Sequence, residues 1–300
     1  MSNNPIANPI DRIVFGDNQF FGINHMSQDK AQERAERFAK LDNIMAVYDH
    51  AIEAGVEGIM LNSNDRAKGI CDRFRADKAK YGHLKWYPSI PYPHKYAAMV
   101  NDKGMVGAAQ EMLFAGGAKS ALGKMVSGGM AVATLDAVKL MKMLVDQEME
   151  IYHDLDLKVV FLQNIIVDLM LGYDVAEPFV AYCQHIRKKY GAYPGLITQN
   201  LPLLRRKLIE WGIEDVVICA SINKIGYLMS PGVEEYERVL AENNGTKYPV
   251  MAMSTLASGA VPPVEAYEYI NKLNVQSVVF GASSPGNIKQ TVSLIEGAPA

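Results

Sequence analysis

Polar side chains that could transfer a proton or hold a small ligand stand at, or just beyond, the ends of short apolar runs. The clearest of them are Asp17, Asn62, Asp65 and Gln163. A buried carboxyl group with a raised pKa can act as an acid or a base, whereas an amide fixes hydroxyls and carbonyls by paired hydrogen bonds. The alternative is that these residues cap helices or close turns. On the first interpretation they form a site for a polyhydroxylated or carbonyl compound.

Two histidines and a lysine extend this set. His25 and His94 fall in long segments that could reach the same site, although a lone loop histidine is more often solvated. No dense spacing of histidines and carboxylates accompanies them, so we expect no metal site. Lys224 would be a Schiff-base nucleophile if it were desolvated, but its place beyond a strand favours contact with an anion or with solvent. The candidate catalytic residues are Asp17, His25, Asn62, Asp65, His94, Gln163 and Lys224.

Two short turns rich in glycine and serine, at 254–259 and 281–285, each follow a β-type run and precede a helical pattern. Glycine lets the backbone approach an anion, and the first N–H groups of a helix are unpaired donors, so the turns predict a phosphate site. Small residues also simply make tight turns. Arg66 could bind a carboxylate or phosphate, or form a surface salt bridge instead. The candidate ligand-binding residues are Arg66, Gln199, Asn200, Asn223, Ser254, Ser258, Gly259, Gly281, Ser283 and Ser284.

The elements that must position these residues alternate along the chain. The apolar runs typical of strands are 13–16, 58–61, 84–89, 159–162, 195–198, 216–220, 250–253 and 277–280. The clearest helical patterns are 44–54, 135–152, 176–190, 201–211, 233–243, 263–273 and 285–295. Continuous apolar runs are typical of a parallel sheet that is buried on both faces. The pattern predicts an α/β fold, a single-domain (β/α)8 TIM barrel over 1–300.

Two segments are longer than a minimal barrel needs. They are 18–40, which contains a charged stretch, and 91–129, which is rich in glycine, alanine and methionine. Both follow the carboxyl ends of predicted strands, the face that carries function in such barrels. We predict extended βα loops 1 and 3 that form a lid or one wall of the pocket, or alternatively an oligomer contact.

The bulk composition excludes some partners. The chain has 300 residues and a formal net charge of −3, which gives no reason to expect nucleic acid or an anionic membrane as partner. The three cysteines have no metal or redox spacing, and no leader or membrane span is visible. We therefore expect a cytoplasmic metabolic enzyme with a small-molecule substrate, and leave open whether it is a homo-oligomer.

From the fifth predicted strand onward, the chain resembles the aldo-keto reductase superfamily. Residues 195–201 look like the family's Gly-Val-Ser-Asn turn, and 219–223 match its Gln-x-x-Tyr-Asn segment at the final Asn. Residues 256–259 are similar to its Leu-x-x-Gly turn, and 280–285 resemble its Gly-Ala-Ser turn closely. The resemblance covers roughly the last third of the chain. It implies a TIM barrel and, in the reductases of the family, hydride transfer with NAD(P).

The chain departs from the family at the residues that do this chemistry. The reductases use a tyrosine acid, a lysine and an aspartate that tune it, and a histidine. Here Asn62 takes the place of the aspartate and Gln163 that of the histidine. No tyrosine follows the second strand at the expected distance, and no lysine stands at the tip of the third strand. Tyr92 could be a relocated acid. Lys289 is the only cation near the late turn, which lacks the family's arginine for a 2′-phosphate.

From these departures we expect proton-transfer chemistry of the lyase, isomerase or aldolase type on a small polar carbonyl or polyhydroxy metabolite, with or without a phosphate group. The cofactor is then unknown or absent. The first alternative is an NAD(P)-dependent aldo-keto-type oxidoreductase with a displaced catalytic set. The second is a non-catalytic binding subunit that has kept the barrel.

Overall fold

Eight parallel strands form the centre of the molecule. The computed structural model describes residues 10–20, 36–92, 137–243 and 245–297. The strands are β1 Ile13–Phe15, β2 Gly58–Asn62, β3 Lys85–Ile90, β4 Val159–Leu162, β5 Tyr193–Thr198, β6 Val217–Ser221, β7 Val250–Met253 and β8 Ser277–Phe280. They close in sequence order, with β1 paired to both β2 and β8. The predicted (β/α)8 TIM barrel is confirmed, and every predicted strand coincides with an observed one to within two residues.

Helices surround this barrel. They are α1 Leu41–Glu53, α2 Ala67–Ala76, α3 Lys78–Tyr81, α4 Ala137–Met149, α5 Asn164–Gly172, α6 Glu177–His185, α7 Leu201–Glu210, α8 Val233–Ala241, α9 Pro263–Ile270 and α10 Pro285–Ile295. The clearest helical patterns correspond to α1, α4 and α6 to α10. The patterns did not include α5, because it is apolar on all sides and shows no polar face at a 3.6-residue period. No helix within the described ranges is long and apolar enough to cross a membrane.

Side chains alternate between the inside of the barrel and the layer under the helices. Val14, Met60, Tyr87, Phe161 and Cys219 pack together as one buried cluster inside the barrel. Because alternate residues of a strand point to the same side, the positions two residues further along each strand line the mouth. These positions are Asn62, Ser89, Gln163, Gln199, Ser221 and Met253. The fold therefore brings a ring of mostly polar side chains to the carboxyl end of the barrel.

Most of the predicted loop insertions at 18–40 and 91–129 lie outside the described residues, and so do His25 and His94. The ends that are described, Asn18–Phe20 after β1 and Tyr92 after β3, both border the mouth.

Candidate active site at the barrel mouth

Asp17 is the centre of a hydrogen-bond network at the tip of β1. Its Oδ1 accepts a hydrogen bond of 2.6 Å from the Asn62 side chain, and its Oδ2 accepts one of 3.1 Å from the Asn62 backbone N–H. Asn64 donates a further bond of 3.2 Å to the same Oδ2. Only 2% of Asp17 is exposed. The predicted meeting of Asp17 with the polar residues after β2 therefore has a specific geometry, in which amides bind both carboxylate oxygens.

Burial raises the pKa of Asp17 to about 6, although the hydrogen bonds from Asn62 pull it down. Removing water from a carboxylate disfavours its charged form, and here this effect exceeds the stabilisation by the amide donors. An ordinary aspartate is fully ionised at neutral pH, whereas Asp17 exchanges its proton close to neutrality. Such a pKa suits a group that must both give and take a proton.

Gln163 holds the other side of Asn62. Its Nε2 donates bonds of 2.6 Å to the Oδ1 of Asn62 and to the Oγ of Ser89. With Asn62 Oδ1 accepting from Gln163, its Nδ2 faces Asp17, so Gln163 fixes which end of the Asn62 amide meets the carboxylate. Both N–H groups of Gln163 are used, which leaves its carbonyl oxygen as an acceptor for a ligand.

Tyr92 stands beside the network. Its backbone N–H donates to the Oγ of Ser63 at 3.1 Å. Burial, followed by the charges of Asp17 and Asp65, raises the pKa of Tyr92, so its phenol stays protonated. The proposal that Tyr92 is a relocated acid is compatible with its position, but the raised pKa makes it a hydrogen-bond donor rather than an activated acid. Asp65 itself is exposed at the edge of the mouth.

The tip of β5 and the start of α7 are held by hydrogen bonds to the side chains of Asp168 and Asn200. Asp168 accepts from the Thr198 hydroxyl and, at 3.0 Å, from the Gln199 N–H. Asn200 caps α7 by accepting from Leu203 N at 3.1 Å. Burial raises the pKa of Asp168, against these hydrogen bonds. Asn200, which was predicted to bind a ligand, is therefore observed as a helix cap.

Asn223 is fully buried and ties its own loop together. Its amide donates to the carbonyl of Tyr227 at 2.8 Å and accepts from the N–H of the same residue at 2.9 Å. It also lies 3.4 Å from the carbonyl of Ser254, whose hydroxyl accepts a 3.3 Å bond from Ser221. Asn223 therefore sets the position of the β6 and β7 tips, with its polar atoms turned to backbone.

The turn after β7 has an unusual backbone. Ala257, Ser258 and Gly259 are three consecutive residues with positive φ, at 45°, 60° and 93°. Side-chain-bearing residues rarely adopt this conformation, and such strain concentrates at functional sites. Ser258 and Gly259 are both exposed. The turn therefore presents small residues to solvent, while the N–H of Gly259 is bonded to the carbonyl of Leu256 at 2.8 Å.

The turn after β8 packs against the tip of β1. A Cβ on Gly281 would lie 2.2 Å from the Oε1 of Gln19, so a larger residue there would require the Gln19 side chain to move. Gln19 is 7% exposed, and this Oε1 has no hydrogen-bond partner. Ser284 caps α10 by accepting from Asn287 N at 3.3 Å. The β8 turn is thus packed closely on one side and open on the other.

Arg37 adds a cation to this turn. Its guanidinium donates to the Ser283 carbonyl at 3.1 Å, although the two residues are far apart in sequence. Sequence reasoning found only Lys289 here, because Arg37 belongs to the segment after β1 and nothing in its local pattern points to β8. Ser89 was not predicted as a site residue for a similar reason. A serine inside a strand gives no indication of function in the sequence, and only the pairing of β3 with β4 brings it next to Gln163.

Two residues predicted to belong to the site, Arg66 and Lys224, form contacts with other parts of the protein instead. The Arg66 guanidinium donates to the carbonyls of Phe38 at 2.7 Å and Phe20 at 3.3 Å, which holds both ends of the segment after β1. Lys224 forms a 2.5 Å ion pair with Glu265, and 41% of its side chain is exposed. Schiff-base chemistry needs a desolvated lysine, and this side chain is instead exposed and paired with a carboxylate. The described residues contain no group of three metal-binding side chains.

Comparisons with known proteins bear on the fold. No family model and no curated protein matches this sequence. Among solved structures, an aldo-keto reductase from Brucella melitensis matches with a TM-score of 0.53 at 12% identity, over 97% of this chain and 91% of the other. One from Bacillus halodurans in its holo form gives 0.54 at 12%, over 96% and 88%. An aldose reductase from Giardia lamblia gives 0.53 at 12%, also over 96% and 88%.

These matches correct one expectation. A lyase or isomerase was favoured over an oxidoreductase, and this preference is wrong, because the proteins that share the barrel over almost its whole length are reductases. Strand tips accept new side chains without changing the barrel, so the four substituted positions are compatible with a reductase fold. The chain has the fold of an aldo-keto reductase, as a divergent (β/α)8 barrel.

Proposed function

We propose that this protein is a nicotinamide-dependent oxidoreductase of the aldo-keto type, in which Asp17 replaces the family's catalytic tyrosine as the proton-carrying group. The observation that carries the proposal is Asp17 itself, a buried carboxyl group with a pKa of about 6 at the mouth of a reductase barrel. Reduction of a carbonyl needs a proton for the oxygen as well as a hydride for the carbon. Asp17 is the described mouth residue best suited to supply that proton near neutral pH.

The described residues fit the cofactor that the fold implies. Ser258 and Gly259 are small exposed residues, Gly281 keeps the start of the β8 turn free of a side chain, and α10 begins at this turn. Arg37 brings a positive charge to the same turn. Phosphate oxygens are bound by such combinations of helix-start N–H groups, small residues and guanidinium groups. We therefore assign the cofactor's phosphates to these two turns.

The mouth of the barrel is apolar at the tips of β7 and β8 and polar at the tips of β4 and β5, which suits a flat ring on the first side and a polar substrate on the second. Met253 and Val279 remain partly accessible at the tips of β7 and β8 and form an apolar surface. The carbonyl of Gln163 and the side chain of Gln199 offer hydrogen-bonding groups at the tips of β4 and β5. This division favours a small carbonyl compound that carries hydroxyl groups.

The reaction assigns a separate task to each group. A bound nicotinamide would supply the hydride chemistry of the reaction. Asp17 holds a proton on its carboxyl group and gives it to the carbonyl oxygen as negative charge develops there. Asn62 and Asn64 then bind the resulting carboxylate by the hydrogen bonds seen in the structure. The burial of Asp17 keeps bulk water away from the proton transfer.

Cofactor titration combined with one matched pair of variants tests this proposal. Binding of NADH and NADPH is measured by fluorescence, and reduction of small aldehydes and hydroxyketones by nicotinamide absorbance. Asp17→Asn should bind cofactor as the wild type does and lose roughly 10²- to 10⁴-fold in turnover. Asp146→Asn is the control, because Asp146 also has three polar contacts, with His185, Lys189 and Tyr190, but lies on α4, away from the mouth.

Two results would overturn the proposal. One is that neither cofactor binds the folded protein. The other is that Asp17→Asn reduces the same substrates as fast as the wild type.

A further inference from the structure

A groove runs along the outside of the barrel between α7 and α8. Its volume of about 470 Å³ falls within the range of about 300–1,000 Å³ that small-molecule sites occupy. On each helix the residues that line it recur at spacings of three and four, which places them on one face. They include Arg205, Arg206 and Ile209 on α7, and Arg238, Val239 and Glu242 on α8 and its C-cap. The groove is therefore formed by two facing stripes of side chains.

Positive charge predominates in this groove. Its ionisable residues are three arginines, Arg205, Arg206 and Arg238, and two glutamates, Glu235 and Glu242. Arg238 forms ion pairs with both glutamates. The whole chain, by contrast, has a formal net charge of −3. The charge of the groove is thus opposite in sign to that of the protein, as in a site that attracts an anion.

Arg205 and Arg206 are only weakly engaged by carboxylates. The Nε of Arg205 is buried and has no hydrogen-bond partner among the described residues, and its Nη1 lies 3.7 Å from Glu242, beyond hydrogen-bond distance. Arg206 is exposed and forms no ion pair with any residue that the structure describes. Most buried donors in proteins are hydrogen-bonded, so Arg205 is unusual. Two adjacent guanidinium groups are therefore available to an anion.

Two available guanidinium groups favour a phosphate over a carboxylate. One guanidinium satisfies a carboxylate through two parallel hydrogen bonds, whereas a phosphate monoester has three terminal oxygens and carries up to two negative charges. The groove also has room for more than the phosphate group. Leu203, Ile209 and Val239 add apolar side chains to its lining, which suit an apolar organic part.

We propose that the groove between α7 and α8 binds a small phosphate monoester. The phosphate lies on Arg205 and Arg206, and the apolar part of the molecule packs against Ile209 and Val239. The groove begins at Asn200, where α7 starts, and follows the two helices along the outside of the barrel. It shares no residue with the turns assigned to the cofactor phosphates. The inference does not depend on the proposed reaction.

Isothermal titration calorimetry with phenyl phosphate tests this assignment. The probe joins a phosphate monoester to a flat apolar ring, whereas inorganic phosphate lacks the ring and benzoate lacks the phosphate. Phenyl phosphate should bind the wild type more tightly than either of them. The double variant Arg205→Gln/Arg206→Gln should weaken its binding by about tenfold or more, because charge-assisted hydrogen bonds to the phosphate are lost.

The matched control is Arg37→Gln, which removes the guanidinium at the β8 turn instead. Its affinity for phenyl phosphate should equal that of the wild type. Circular dichroism establishes that each variant is folded. Because Arg206 is exposed, Arg206→Gln alone replaces the double variant if the latter does not fold.

Four results would overturn the proposal. They are no binding of phenyl phosphate at millimolar concentration, equal affinity for inorganic phosphate or benzoate, unchanged affinity in the folded groove variant, and loss of binding in Arg37→Gln. The last result would place the probe at the cofactor turns. Because NADH and NADPH take no part in these titrations, failure here is distinct from failure of the proposed function.

Discussion

Replacing Asp17 by asparagine should change how the stability of the protein depends on pH. Burial raises the pKa of Asp17 from an ordinary value of 3.8 to about 6 in the folded protein. The two values differ by about 2 on the pKa scale, which corresponds to about 3 kcal/mol of differential free energy between the protonated and charged forms. The folded state binds this proton more tightly than the unfolded state does. The stabilisation is therefore fully present below pH 3.8 and is lost as the pH rises through about 6.

Asparagine does not titrate, so Asp17→Asn should remove this component. The free energy of unfolding, measured by urea denaturation between about pH 4 and about pH 7, should fall with rising pH by about 2 kcal/mol more in the wild type than in the variant, because the rest of the effect lies below pH 4. Other titrating groups contribute equally to both proteins and cancel in the comparison.

Asp146→Asn provides the contrast. Burial alone would raise the pKa of Asp146, but hydrogen bonds from Lys189, Tyr190 and His185 outweigh it and lower that pKa. The stability that Asp146 contributes is present above its ordinary pKa and is lost only as the pH falls through its lower folded value. Its variant should therefore differ from the wild type by a constant amount over the same range. The reasoning about Asp17 is refuted if the Asp17→Asn difference is also constant across this range.

Three further substitutions have expected outcomes. Gly195→Ala should destabilise the fold by about 1–3 kcal/mol in urea denaturation, because a Cβ there would lie 2.3 Å from the Phe161 ring; an unchanged midpoint would mean that the barrel interior yields easily. Asn200→Ala should cost about 1 kcal/mol by the same measurement, since it removes the cap of α7, and a neutral result would assign Asn200 to the ligand alone. Gly281→Ala should weaken cofactor binding in fluorescence titration, because the new Cβ displaces Gln19, and unchanged affinity would count against the assignment of the β8 turn.

The barrel could be predicted from the sequence because its strands are buried on both faces. Such strands are continuous apolar runs that keep their signal whatever surrounds them, as β4 and β7 illustrate. Helix α5 gave no such signal, since its outer face is as apolar as its inner one and no period stands out.

The site was predictable only at the level of which strand ends carry polar groups. Parallel strands end on the same side of a barrel, so Asp17, Asn62 and Gln163 could be expected to meet. Their pairing could not be expected, because it depends on strand register and on which end of each amide faces its neighbour. Arg37 lay beyond prediction for a related reason, since its contact with Ser283 spans nearly the whole barrel in sequence.

Transfer of deuterium from a nicotinamide labelled at C4 tests the central claim most directly. Wild-type protein is incubated with the labelled reduced cofactor and a panel of small hydroxyaldehydes and hydroxyketones, and the products are examined by mass spectrometry. The proposed function predicts deuterium on the former carbonyl carbon, and about 10²- to 10⁴-fold less of it with Asp17→Asn. Products without deuterium, from a protein that binds neither NADH nor NADPH, would contradict it.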